Sequence, residues 1–202
     1  MSTLTNFQVY DLLNRQRPLW LVKIDFSGLN LVNIDLSNCN LSYANLQKAD
    51  MNWADLMEAN LTKADLNMAN LYEAHLAMAN LSSANLSRAN LTRADLIKCN
   101  LQEAQLVETD LSRANLSKSN LTQANLNGAI VARADLSKAI LIAANLSNVD
   151  FYKANLFEAN LTKANLHGAN LTSADLTGAI LTGADITDAI LEGADLTDTL
   201  MP

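Results

Sequence analysis

Ala59-Asn60-Leu61-Thr62-Lys63-Ala64-Asp65-Leu66 holds a five-residue unit that the rest of the chain repeats. A small residue, an Asn or Asp, a Leu and two variable positions recur without a gap from Ile24 onward. The Leu position falls at 26, 31, 36 and so on to 201, giving 36 positions of which 30 are Leu. The exceptions, Phe26, Met51, Val131, Phe151, Ile186 and Met201, are all apolar. Two residues earlier the side chain is small. Between Ala44 and Ala194, 27 of 31 such positions are Ala, and the others are Cys99, Thr109, Ser119 and Val149.

A period of five suits neither ordinary element. On an α-helix, five residues advance about 500°, so the leucines wind around the rod without forming a stripe. On a strand, an odd period sends successive leucines to opposite faces. Ala and Leu favour helix by propensity. The recurrent Asn or Asp opposes it, because these side chains compete for backbone groups and favour turns. A chain that runs extended for a few residues and then turns keeps both apolar rows facing inward. Such a coil buries its core only by stacking on copies of itself, which is the logic of a solenoid.

Composition narrows the function classes. The chain has 202 residues, is 50% hydrophobic and only 5% aromatic, and contains six Gly, two Pro and two Cys. That excludes collagen-like and Pro/Gly-rich disordered chains and a disulfide scaffold. No apolar run nears the roughly 18 residues of a membrane helix, and the start lacks a basic and then apolar leader, so a cytoplasmic protein away from membranes is expected. The net charge is −7, from 14 bases and 21 acids. No Lys or Arg follows Lys163, whereas Asp175, Asp185, Asp188, Glu192, Asp195 and Asp198 do, so the acidity gathers at one end. Direct nucleic-acid binding is therefore not expected.

The unit resembles the pentapeptide-repeat family, whose pattern is [Ser/Thr/Ala/Val]-[Asp/Asn]-[Leu/Phe]-X-X, and it does so from about Ile24 to Met201. The resemblance implies an all-β fold, a right-handed quadrilateral β-helix with four repeats per coil. Thirty-six repeats then give about nine coils and a rod of roughly 43 Å at the strand spacing. It further implies a protein that is not an enzyme and acts as an interaction rod, the family being frequent in cyanobacteria. Some relatives are DNA mimics that bind DNA gyrase, and this is the alternative reading for an acidic surface.

The ends break the pattern. Residues 1–23 lie outside the repeat, and 24–202 form one repeat domain. Thr5-Asn6-Phe7-Gln8 resembles a capping box, Phe7, Tyr10 and Leu13 give a modest apolar face, and Pro18 stops the segment. A short helix at about 6–15 is expected to cover the first coil, whose inward positions Ile24, Leu29 and Ile34 are enlarged. The C-terminal side has no cap of its own. Its last coil, ending Leu200-Met201-Pro202, is either guarded by its acids or shared with a second copy as a homodimer seam.

On a coil of 20, residues of equal remainder stack in a column. Cys39 and Cys99 lie three coils apart, about 14 Å, too far for a disulfide. His75 and His167 lie farther apart still and cannot share a metal, so no catalytic, metal or cofactor site is expected. The outer rows hold the candidate interaction residues. Arg93, Arg113, Arg133 and Lys153 form one column and Lys98, Lys118 and Lys138 another, with Arg88 nearby, a basic strip fit for an acidic partner. Asp185, Asp188, Glu192, Asp195 and Asp198 form an acidic end, and Trp53 and Tyr72 adjoin as exposed aromatics. A protein partner is expected from these rows; a plain solvated face is the competing reading.

Overall fold

The computed structural model describes residues 18–202. The helix expected at about 6–15 lies outside the described residues. From Trp20 to Ile180, every fifth residue forms a single parallel bridge to the residue 20 positions later, as in Asn60 to Asn80. Four repeats therefore complete one coil. Among the described residues there is no helix and no strand longer than one bridge. A side carries only three residues between turns, which is too short for an extended ladder.

The five amides of one unit show why the pattern holds. Ala59 N–H donates to Leu56 O at 3.0 Å and closes a turn. Asn60 N–H donates to Cys39 O in the coil before, at 2.9 Å. Leu61 and Lys63 donate to Asn80 O and Ser82 O in the coil after, at 2.7 and 3.0 Å. The fifth amide, Thr62 N–H, is taken by the Asn60 side chain at 3.1 Å. Every backbone donor of this unit thus has a partner, as buried backbone requires. Asn or Asp recurs because its Oδ1 reaches the amide two residues on. Asn also donates sideways, as Asn90 Nδ2 does to Asn70 Oδ1 one coil earlier at 2.9 Å. Ile130 occupies this bridge position without an acceptor, yet its bridges to Asp110 and Asp150 persist. Ile130→Asn is expected to stabilise the protein by about 1 kcal/mol, by restoring the bond to Ala132 N–H. Chemical denaturation measures it, and a lower midpoint refutes it.

The residue two places after each Leu has a left-handed φ. It lies between 52° and 60° for thirty non-glycine residues, including Arg113, Lys118 and Ala143. Such φ values cost non-glycine residues about 1–2 kcal/mol, so the stacked hydrogen bonds must hold them. Gly183 and Gly193, with φ of 70° and 65°, take the same conformation without that cost. The corner is thus set by the coil and not by glycine.

Inside, Leu stacks on Leu and Ala on Ala. From Leu36 to Leu176 the central column is 0% exposed, and the small column is nearly as dry. Polar residues of the small column find acceptors. Cys99 Sγ, Thr109 Oγ1, Ser119 Oγ and Thr199 Oγ1 donate to Leu76 O, Leu86 O, Leu116 O and Leu176 O at 2.7, 2.8, 2.6 and 2.8 Å. The enlarged Ile24, Leu29 and Ile34 pack against the core while partly buried. The last coil differs. Leu196, Leu200 and Met201 are 37%, 58% and 41% exposed. Among the described residues the amides of Ile186, Leu191 and Leu196 find no acceptor.

Candidate interaction surface

The fold leaves three outward positions in each unit: the bridge residue and the two turn residues. Side chains on equal corners therefore stand one above another at the strand spacing of about 4.8 Å. The Asp and Asn column is engaged in turns. Asp95 Oδ1 accepts Ile97 N–H at 3.1 Å and Asp135 Oδ1 accepts Ser137 N–H at 2.9 Å. These carboxylates do structural work and are dispersed over four sides. Among the described residues no group of three His, Cys, Asp or Glu could hold a metal. Cys39 and Cys99 are buried and form no disulfide.

Burial pushes the Cys99 thiol up to about 12. The thiolate is the nucleophile, so this cysteine is inert in the folded state. Iodoacetamide at about pH 8 is expected to leave Cys99 unmodified in native protein and to label it after denaturation. Mass spectrometry decides, and native labelling would show an open core.

The structure arranges the basic residues more narrowly than their columns alone suggest. Arg93, Arg113, Arg133 and Lys153 stand on one corner, Lys98, Lys118 and Lys138 on the next, and all are exposed. The two corners bound one side of the rod. Arg88 stands elsewhere, on a different corner, where its Nε meets Glu108 at 2.8 Å. Arg93 pairs with Glu73 at 3.0 Å and Lys138 with Glu158 at 3.3 Å. Lys138 also lies 6.0 Å over Phe157, and Lys153 lies 5.2 Å over Tyr152. Among the described residues Lys98, Arg113, Lys118 and Arg133 have no ion-pair partner.

Trp53 and Tyr72 meet edge to face, with centroids 6.0 Å apart and rings at 88°. Trp53 is exposed, whereas Tyr72 is half-buried. The Trp53 indole N–H donates to Glu73 at 2.9 Å, and Arg93 donates to Glu73 at 3.0 Å and to the Tyr72 hydroxyl at 3.4 Å. These bonds, the indole first, hold the Glu73 carboxyl below its ordinary value.

At the acidic end Asp185, Asp188, Glu192, Asp195 and Asp198 are all exposed. His167 Nδ1 lies 3.9 Å from Asp188. The Thr187 hydroxyl and amide lower the Asp185 carboxyl, and the Thr197 amide and hydroxyl lower Asp195. Asp25 is lowered likewise, first by the Ser27 hydroxyl. A carboxyl depressed by folding adds stability that is complete above its ordinary value of 3.8 and is lost as pH falls through the lowered value. The thermal midpoint is expected to stay flat from neutrality to about pH 5 and to fall only in stronger acid. Circular dichroism melts across pH test this; a fall already near neutrality contradicts it.

Beside the start of the described chain, Pro18, Trp20, Asn38, Cys39, Glu58 and Asn60 line a half-open cleft of about 190 Å³. It gathers no catalytic set. No described helix is long and apolar enough to cross a membrane.

The comparisons with known proteins agree with this geometry. The family profile described as pentapeptide repeats (8 copies) matches residues 21–56, 54–93, 79–117, 89–128, 119–156, 132–167 and 159–198. The chain is similar to HetL, a pentapeptide repeat protein involved in heterocyst differentiation regulation from the cyanobacterium Nostoc sp. The two are 32% identical over 100% of this chain and 98% of that one, with a TM-score of 0.53. Rfr23 from the cyanobacterium Cyanothece is 41% identical over 44% of this chain and 64% of its own, with a TM-score of 0.26. QnrB1, a plasmid-mediated fluoroquinolone resistance protein, is 16% identical over 88% of this chain and 93% of its own, with a TM-score of 0.50. That last likeness speaks for the fold alone. No curated protein sequence matches the chain.

Proposed function

This chain belongs to the pentapeptide-repeat family, and on that premise we propose that it is a non-enzymatic, cytoplasmic rod of about nine right-handed coils that binds other proteins. One observation carries the reading: the interior is filled by two apolar columns, so every side chain able to meet a ligand stands on the outer rows. A filled core offers no enclosed pocket for a substrate or cofactor. Rows at constant spacing instead offer a long, rigid surface, and a rigid surface loses little entropy on binding. HetL is involved in regulation, which suits a protein acting through contacts. Capture from the native host with tagged full-length chain tests the proposal. A specific, stoichiometric protein partner supports it; turnover of a substrate by pure folded protein rejects it.

The alternative is a DNA mimic that binds DNA gyrase or topoisomerase through its acidic surface. The exposed carboxylates from Asp185 to Asp198 support it. They occupy only the end of the rod, and the cations from Arg93 to Lys153 interrupt any continuous imitation of phosphate. A supercoiling assay separates the two readings, because a DNA mimic inhibits and the interaction rod does not. A homodimer through the open last coil is read directly by size-exclusion chromatography with light scattering.

A further inference from the structure

One side of the rod carries two unlike patches end to end. Its edges are the corners at Trp53, Glu73, Arg93, Arg113 and Arg133, and at Met57 with Glu58, Met78, Lys98, Lys118 and Lys138. Trp53, Met57 and Met78 are 46%, 39% and 48% exposed and sit in adjacent coils. Apolar residues scattered singly over a surface are ordinary, but three gathered on one side form a patch. Tyr72 and Glu73 fix the Trp53 ring from beneath. The next three coils carry cations on both edges, and Lys98, Arg113, Lys118 and Arg133 are the ones without an ion-pair partner among the described residues. Between the edges run Asp95, Asn115 and Asp135, with short Ser117 and Ser137 beside them. Both aspartates are occupied as acceptors, Asp135 also from Asn155 Nδ2 at 3.1 Å. The basic edge continues to Lys153, across from Glu158, which Lys138 pairs at 3.3 Å; beyond it the side turns acidic, at Asp175, Asp195 and Asp198.

Resting on the reading of the chain as a protein-binding rod, we propose that this side docks a short, extended acidic segment of a partner protein. Its bulky apolar residue sits on Trp53, Met57 and Met78, and its carboxylates lie between Arg113 and Arg133 on one edge and Lys98 and Lys118 on the other. Spacing sets the segment. Trp53 and Arg113 are three coils apart, about 14 Å, and an extended residue covers about 3.3 Å, so the carboxylates begin about four residues from the apolar anchor. Charge sets its length, because the acids from Asp175 onward repel a longer polyanion. The same acids and the net charge of −7 disfavour a nucleic acid, whose phosphates continue past the patch.

The test is fluorescence anisotropy with a fluorescein-labelled peptide that has phenylalanine first, a Gly-Ser spacer and then a run of glutamates. Full-length protein is expected to bind it saturably, and less tightly as salt rises. Arg113→Glu with Lys118→Glu is expected to weaken binding at least about tenfold, since like charges then face the ligand. Trp53→Ala is expected to weaken it several-fold, and Lys63→Glu, on another corner, to leave it unchanged. Glutamate suits the left-handed corner, as Glu58 and Glu103 show at φ 57°. Should the double variant lose its native circular dichroism, Arg133→Gln with Lys98→Gln serves in its place. Equal binding of a peptide with glutamine for glutamate overturns the proposal, as does unchanged binding by the charge variants. A single-stranded oligonucleotide of the same charge that binds as tightly overturns it too. A host partner captured equally by wild type and the double variant leaves the rod reading standing and sinks this one. Peptide binding lost in the double variant supports the docking surface, whereas substrate turnover by the folded protein sinks the rod reading and this proposal with it.

Discussion

Leu116→Asp is expected to cost about 4–5 kcal/mol or more and to break the rod in its middle. Leu116 is 0% exposed, with Leu96 and Leu136 above and below it in the same column. A carboxylate there has no cation or spare donor within the core, because every nearby backbone donor is already used. It must stay ionised without water or take up a proton, and either course is unfavourable. In a solenoid each coil contacts only its neighbours, so the damage stays local at first. Hydrogen exchange is expected to rise sharply in the coils around Leu116 and much less near Leu46. The thermal transition is expected to fall and broaden. Leu196→Asp is the internal control: Leu196 is 37% exposed in the last coil, and its loss is expected to cost under about 1 kcal/mol. Equal melts for the two variants would refute a filled, uniform core.

Ala114→Leu is expected to cost about 1–3 kcal/mol by overpacking. Ala114 is 1% exposed and stacks with Ala94 and Ala134. Among the small inward positions Leu29 is accommodated only in the first coil, where it is partly buried, and Val149 is the bulkiest fully buried member. Ala114 has coils on both sides and cannot yield. Denaturant midpoints should order as wild type, then Ala114→Val, then Ala114→Leu; a more stable Leu variant would mean that the column has unused space.

Particular residues show how much was legible beforehand. The Leu and Ala rows, read as two inward columns, are the buried ones. The Asn and Asp row, read as turn residues, accepts the turn amides, as Asn60 does from Thr62. Two things were not legible. One is the left-handed φ at Arg93, Lys118 and their equivalents, because long charged residues carry no signal for that conformation. The other is pairing. No spacing rule separates Arg93 and Lys138, which hold Glu73 and Glu158, from Arg113 and Lys118, which hold nothing among the described residues.

By itself, then, the five-residue spacing of bulky and small apolar groups determined that the chain must turn within every unit and stack on itself. Local hydrophobic patterning needs no partner to state which side chains face inward. Only the tertiary structure decided that four units close a coil, through bridges between residues 20 apart. Coil closure fixes which corners share a side, and so it alone brought Trp53, Met78, Arg113 and Lys118 onto one surface. Contacts between coils join residues that the sequence holds far apart, and a short repeat looks the same whichever distant copy it meets.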